Sequence, residues 1–150
     1  MATVFTRIIN GEFSGLFAWA DDQCVVISTI APITTGHLMV IPRKEVAAFT
    51  AADDELLAHL MRVAAIVGRA QEQAFDAPRA ALIIAGFEVP HLHLHVLPAW
   101  GEADLSFANA RSGVPAEELA AATEQVRAAL RAQGHGAHVP TSIDNPELAS

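Results

Sequence analysis

Three histidines stand at alternate positions, His91, His93 and His95, with Leu92, Leu94 and Val96 between them. A two-residue period is that of a β-strand, so one face of this stretch carries three imidazoles and the other carries aliphatic side chains. Pro90 and Pro98 bracket it, as proline does at strand ends. Imidazole changes charge near neutral pH and serves as nucleophile, acid, base or metal ligand. Three on one face are a chemical arrangement rather than a scatter of surface histidines. Two chemistries fit: catalysis by an imidazole, and chelation by a His-x-His pair. At ~3.3 Å per residue, His91 and His95 have backbones ~13 Å apart, so one metal takes at most two of the three comfortably.

The strand Val89–Trp100 needs elements to hold it. Phe5–Glu12 is a mixed opening that ends in the turn signal Asn10-Gly11. Leu16–Trp19 and Cys24–Ser28 read as a hairpin about a turn at Ala20–Gln23. After a loop, His37–Ile41 forms a third strand closed by Pro42. Thr50 with Asp53 suggests a cap for a helix from about Ala51 to Phe75. Between Leu56 and Val67 only His59 and Arg62 are polar. A helix apolar nearly all round has two faces to bury. One face packs on its own sheet, and a second copy of the chain is the simplest cover for the other. Ala80–Ala85 reads as a central strand ended by Gly86. A polar loop follows Trp100; Pro115 then opens a second helix with a stripe of Leu119, Thr123, Val126 and Leu130, stopped by Gly134. The expected organisation is one domain over 1–135 and a loose tail over 136–150. Five strands and two helices, joined by hairpins rather than crossovers, suggest an antiparallel α+β domain.

Composition narrows the classes. The chain has 150 residues, enough for one domain with a real core, and 52% apolar residues, too many for a disordered chain. The net charge is −8 with no block of lysine or arginine, which argues against nucleic-acid and anionic-membrane partners. The sequence shows no charged-then-apolar leader and no apolar run near the ~20 residues that span a bilayer. Cys24 is the one cysteine, so no internal disulfide forms, and a cytoplasmic setting is expected.

The stretch His91-Leu92-His93-Leu94-His95-Val96-Leu97 resembles the signature of the histidine triad (HIT) family, His-φ-His-φ-His-φ-φ with φ apolar. Phe5 to Glu12, Asp21-Asp22 and Pro32 to Pro42 fall in the order and spacing of its Hint-like branch, so the resemblance covers roughly residues 4 to 108. It implies an open antiparallel sheet with helices on one side, paired as a homodimer. It also implies an activity: His93 attacks the α-phosphate of a nucleotide conjugate, and water cleaves the nucleotidyl-histidine that results. The second ring N–H of His93 would be held by the backbone carbonyl of His91. His91 and His95 would donate to phosphate oxygens, where charge builds, and His37 would support them.

The family's apolar nucleoside pocket maps onto Phe5, Ile8, Phe13, Ile27 and Ile30. Thr29 stands where Hint-like members place an acid for the ribose hydroxyls. Gly86-Phe87-Glu88 replaces a Gly-Gln-Ser or Gly-Gln-Thr that contacts phosphate, and a carboxylate there repels an anion. The family's asparagine-bearing loop is absent. Some HIT proteins bind zinc through Cys-x-x-Cys and a histidine; those positions are Thr3, Thr6 and Glu45 here, so neither structural zinc nor another cofactor is expected. The expected substrate is a purine nucleoside monophosphate with a small leaving group, such as a phosphoramidate. The alternatives are a dinucleoside polyphosphate hydrolase or phosphorylase, a nucleotide-binding regulator with little turnover, and a metal protein using a His-x-His pair. His59, His135 and His138 have no role in this scheme.

Overall fold

The apolar alternation along the chain is spent on one sheet. In a computed structural model that describes residues 1–150, the strands are β1 (Phe17–Ala20), β2 (Cys24–Ser28), β3 (Leu38–Pro42), β4 (Arg79–Ile83) and β5 (Leu94–Ala99). They lie in the order β1-β2-β3-β5-β4, with every neighbouring pair antiparallel. The helices are α1 (Val4–Ile9), α2 (Asp54–Phe75) and α3 (Ala116–Ala132). None is long and apolar enough to cross a membrane.

Each strand sends alternate side chains to opposite faces, and the two faces are dressed differently. On one, Val26, Leu38, Val40, Leu94 and Val96 meet Leu60, Val63 and Val67 of α2 and Val126 and Leu130 of α3. Burying a side chain of this size is worth about 1.5–3 kcal/mol, so this layer carries most of the stability. On the other, Phe17, Val25, Ile27, Met39 and Ile41 gather a smaller cluster with Phe5 of α1. His95 is opposite Met39 in the β3–β5 register. The histidines therefore emerge on the thinly covered face.

The open antiparallel α+β sheet matches the sequence reading, and several details depart from it. There are three α-helices rather than two: the opening segment folds as α1, capped by the Thr3 side chain, which accepts from Thr6 N–H. The cap of α2 is Asp53, bonded from Leu56 N–H, while Thr50 lies in a preceding 3-10 turn. β4 is an edge strand, not a central one; its apolar run rests against α2 on one side only. β5 begins at Leu94 rather than Val89. Continuing its register would set Leu92 opposite Pro42, which has no N–H to give. Leu92 N–H donates instead to Val46 O at 2.6 Å.

α2 buries one stripe, including Leu56, Leu60, Val63 and Val67, against its own sheet. Its other side leaves Met61 50% exposed, next to Leu82 at 37% on the β4 edge. The segment 136–150, expected as a loose tail, is anchored over its first part. Val139 enters the core, and Phe17 N–H donates to Ile143 O at 2.6 Å. Arg127, 2% exposed, is the pin. Its guanidinium donates to Phe17 O at 2.7 Å, Pro140 O at 2.8 Å and Glu124 Oε2 at 2.9 Å. Truncating it strands two buried carbonyls, and bonds to a charged donor are worth about 1.5–3 kcal/mol each. Arg127→Met should lower the urea-unfolding free energy by roughly 2–4 kcal/mol and speed limited proteolysis after residue 138. Unchanged cleavage would show that the tail is held by other contacts.

Candidate active site

The peptide around His91 lies just before the β5 ladder, so side-chain bonds hold it. His91 is fully buried. One ring nitrogen, Nε2, lies 2.7 Å from Pro42 O, and a carbonyl only accepts, so Nε2 carries the proton. Its Nδ1 is then bare and accepts from the Thr3 hydroxyl at 2.6 Å. Burial, partly offset by the Pro42 carbonyl and Glu45, holds His91 below the ordinary histidine range, which keeps the ring in this neutral form. Both nitrogens are thus committed inside the protein. The resemblance implies that His91 donates to phosphate; in this geometry its one ring hydrogen is bonded to Pro42 O.

His93 is set by the same logic. Its Nδ1 lies 2.7 Å from the backbone carbonyl of His91, so Nδ1 is the protonated nitrogen and Nε2 presents a lone pair. The carbonyl expected to orient it does so. Phe5 packs on this ring with centroids 4.9 Å apart.

His95 belongs to a relay. Ile33 N–H donates to His37 Nδ1 at 3.0 Å. That places the proton of His37 on Nε2, which donates to His95 Nδ1 at 2.8 Å. The proton of His95 is therefore on Nε2, its outward nitrogen. Burial and then the neighbouring His95 push His37 down to about 3, and burial and then His93 push His95 down to about 4. The His93 and His95 rings thus present opposite faces of the same chemistry, a lone pair on His93 and an N–H on His95, with centroids 4.9 Å apart.

Gly36 and Gln71 hold His37 in place. Gly36 has φ +89°, and a Cβ there would run into the Phe75 ring. The Gln71 amide, wholly buried, donates to Gly36 O at 2.9 Å and Val96 O at 2.8 Å, tying the loop before β3 to β5. Gln71 escaped the sequence reading, although one amide in an otherwise apolar helical stripe was a visible signal. Phe107 escaped as well; its ring stands edge-on to His95 at 5.0 Å, and nothing in the polar loop around it marks it out.

The other pocket residues are divided. Ile8 and Ile27 join Phe5 in the small cluster. Thr29 is buried, and its hydroxyl accepts from Ala31 N–H at 3.2 Å. Phe13 lies under the Arg7 guanidinium and is 47% exposed, Ile30 is 81% exposed and Phe87 98%. Glu88 is exposed too. None of these last four bonds to or stacks on a histidine.

The residues at the expected zinc positions do not fit that metal. Zinc takes thiolate, imidazole or carboxylate, whereas two of the three groups are threonine hydroxyls. Thr6 Oγ1–H donates to Glu45 Oε1 at 2.7 Å and Thr3 N–H to the same oxygen at 2.8 Å. The nearby nitrogen of His91 is occupied by Thr3.

The histidines outside the motif brace the β1–β2 turn instead. Arg62 donates to His59 Nδ1 at 3.0 Å, and His59 Nε2–H donates to Asp21 Oδ2 at 2.7 Å. Trp19 Nε1–H reaches the same oxygen at 2.8 Å, and Gln23 and Cys24 N–H reach Oδ1. Burial alone would raise this carboxyl; bonds from Trp19, the Gln23 and Cys24 backbone and His59 outweigh it and bring Asp21 down to about 2. The Cys24 thiol also points at this carboxylate, with Sγ 3.5 Å from Oδ2. His138 stacks on Trp19 at 4.5 Å.

The HIT domain model matches residues 10–101, more than half of the chain. The chain belongs to the HIT family. An uncharacterised HIT-like protein of Methanocaldococcus jannaschii is 31% identical over 101 residues, 65% of this chain and 78% of that one. A zinc-bound histidine triad family protein from Mycobacterium smegmatis superposes with a TM-score of 0.77 at 27% identity, covering 91% of this chain and 98% of the other. A hypothetical histidine triad nucleotide-binding protein from Sulfolobus tokodaii gives 0.74 at 28%, covering 85% and 91%. In this HIT protein the triad sits where the fold leaves the sheet thinly covered, and its middle imidazole is the one that presents a free lone pair.

The depressed histidines carry a stability consequence. His37 and His95 titrate at about 3 and 4 when folded against an ordinary 6.5. Between those values the unfolded chain binds protons that the folded chain refuses, so stability is full above pH 6.5 and is lost as pH falls. Asp21, at about 2 against an ordinary 3.8, adds a further loss only below pH 4. The urea-unfolding free energy, and the midpoint with it, should fall steadily from pH 6.5 to 4, at up to about 1.4 kcal/mol per pH unit for each of the two histidines. His37→Asn should flatten that slope; a wild-type midpoint constant from pH 6.5 to 4 would refute the neutral relay.

Proposed function

We propose that this protein is a nucleotide hydrolase or transferase that works as Hint-like members of its family do, through a nucleotidyl-histidine on His93. The observation that carries the reading is the bond from His93 Nδ1–H to the His91 carbonyl. It leaves Nε2 bare on a ring that is 8% exposed, and a neutral imidazole with a fixed lone pair is a good nucleophile toward phosphorus. Family membership supports nucleotide chemistry, and the Sulfolobus tokodaii relative is described as nucleotide-binding.

In this scheme Nε2 of His93 attacks the α-phosphorus of a purine nucleoside monophosphate conjugate, such as a phosphoramidate. The phosphorus–leaving-group bond breaks, the leaving group keeps the electron pair, and water protonates it. The outward N–H of His95 donates to a phosphate oxygen as charge builds there, with the ring held by His37. Water then attacks the phosphorus, its released proton passes to solvent to balance the one taken by the leaving group, and the phosphorus–nitrogen electrons return to His93. Phe5 and Ile27 supply an apolar wall for the base. Phe87 and Glu88 offer the phosphate no hydrogen-bond donor, so its hold rests on His95 and on backbone groups.

His93→Ala should lower kcat on a nucleoside phosphoramidate on the order of 10³-fold or more while leaving the nucleotide dissociation constant within a few-fold. In a rapid quench with α-phosphate-labelled substrate, wild type should carry acid-labile, alkali-stable label and the variant none. Active wild type that never carries label would eliminate the covalent route.

The same reading includes a homodimer built on α2 and β4. Met61 and Leu82 form an apolar strip on the uncovered side of α2 beside an edge strand. Sedimentation at micromolar concentration should give about twice 15.9 kDa, with Met61→Asp shifting it to monomer. A wild-type monomer at those concentrations would remove the pairing.

A further inference from the structure

We infer that Thr3, Thr6 and Glu45 form a clasp that positions the nucleophile through His91. The proposal rests on the reading of His93 as nucleophile. Its starting point is a weakness in the sheet. The carbonyl that orients His93 belongs to His91, and β5 begins only at Leu94. The ladder does not hold that peptide. Its own N–H, that of Leu92, donates to Val46 O at 2.6 Å, and on the preceding peptide His91 N–H donates to Val89 O at 2.8 Å. The His91 ring anchors the Cα beside this carbonyl.

That ring is held at both ends. Nε2–H donates to Pro42 O at 2.7 Å, and Nδ1 accepts from the Thr3 hydroxyl at 2.6 Å. Pro42 is the last residue of β3 and is paired with Cys24 of β2. Thr3 lies on the segment before α1, and its position depends on Glu45. One carboxylate oxygen, Oε1, accepts Thr3 N–H at 2.8 Å and Thr6 Oγ1–H at 2.7 Å. The Thr3 hydroxyl also accepts Thr6 N–H at 3.2 Å as the cap of α1. A continuous path of hydrogen bonds therefore runs from Glu45 through Thr3 and His91 to Nδ1 of His93. The same seating of α1 lays Phe5 on His93 at 4.9 Å and on His91 at 5.6 Å.

Zinc does not fit these positions, and hydrogen bonds hold there what a metal would hold. Thr3 and Thr6 lie outside the matched residues 10–101, and Glu45 and His91 lie inside them. Thr3, Thr6 and Glu45 are positioning residues: none needs to touch substrate.

The test uses the full chain with 15N-labelled histidine. In wild type, long-range 1H–15N spectra should show His93 protonated at Nδ1 and His91 at Nε2. Thr3→Val keeps the shape and removes the hydroxyl. It should move the His93 signals toward a mixture of the two neutral forms and lower kcat on a nucleoside phosphoramidate about tenfold to a hundredfold, with KM within about two-fold. Thr3→Ser restores the donor and should restore both readouts. Glu45→Ala, at an exposed position outside the core, should reproduce the Thr3→Val spectrum in weaker form. The clasp is overturned if folded Thr3→Val keeps the wild-type His93 spectrum, or if serine rescues no better than valine. The spectra need no turnover. A wild type that turns over nothing but responds as described would sink the catalytic reading and leave the clasp standing; a turning-over wild type whose spectra ignore Thr3 would do the reverse.

Discussion

A backbone carbonyl can accept a hydrogen bond and can never donate one. That asymmetry is what the site is built on. Wherever a neutral imidazole meets a carbonyl, its proton must lie on the facing nitrogen and its lone pair on the other. Pro42 O fixes His91 in this way and His91 O fixes His93. At the other end of the site an amide does the converse. Ile33 N–H can only donate, so it fixes His37 and, through it, His95. Two rules of opposite sign, entering from opposite ends of the triad, leave a lone pair on one ring and a hydrogen on the next.

Burial makes those rules hold. A solvent-exposed imidazole exchanges between its neutral forms and charges near pH 6.5. His37 and His95 are buried and held far below that value, so the pattern of donors and acceptors survives at neutral pH. The cost appears in acid, where protonation favours the unfolded chain. The site thus draws on the stability that the opposite face of the sheet supplies through α2 and α3.

Much of this was legible in the sequence. The alternation from His91 to Val96 carried the two-faced strand, and the hairpin of β1 and β2 followed from short apolar runs about Asp21-Asp22. The orienting role of the His91 carbonyl came with the family signature. What was missed depended on contacts far apart in the chain. α1 is six residues long and too short to announce itself by periodicity; it is stabilised by its Thr3 cap and by Glu45. The early end of the β5 ladder depends on a proline in another strand. Arg127 and Gln71 sat inside helical patterns as ordinary polar residues, and only the fold showed that their donors reach carbonyls in β1, β5 and the segment after α3. The family signature implies a phosphate-donating role for His91, and only the fold shows both its ring nitrogens bonded within the protein.

The brace at Asp21 has a practical corollary. Cys24 is the chain's one thiol, fully buried, and burial and the Asp21 carboxylate both push it well above the ordinary thiol range. Only the thiolate reacts with alkylating and oxidising agents, so in the closed molecule this sulfur is shielded twice, by sterics and by charge. Once the β1–β2 turn comes apart, both shields vanish together. The rate of thiol modification on the native chain therefore reads the opening of this end of the sheet directly, and it does so without any engineered label.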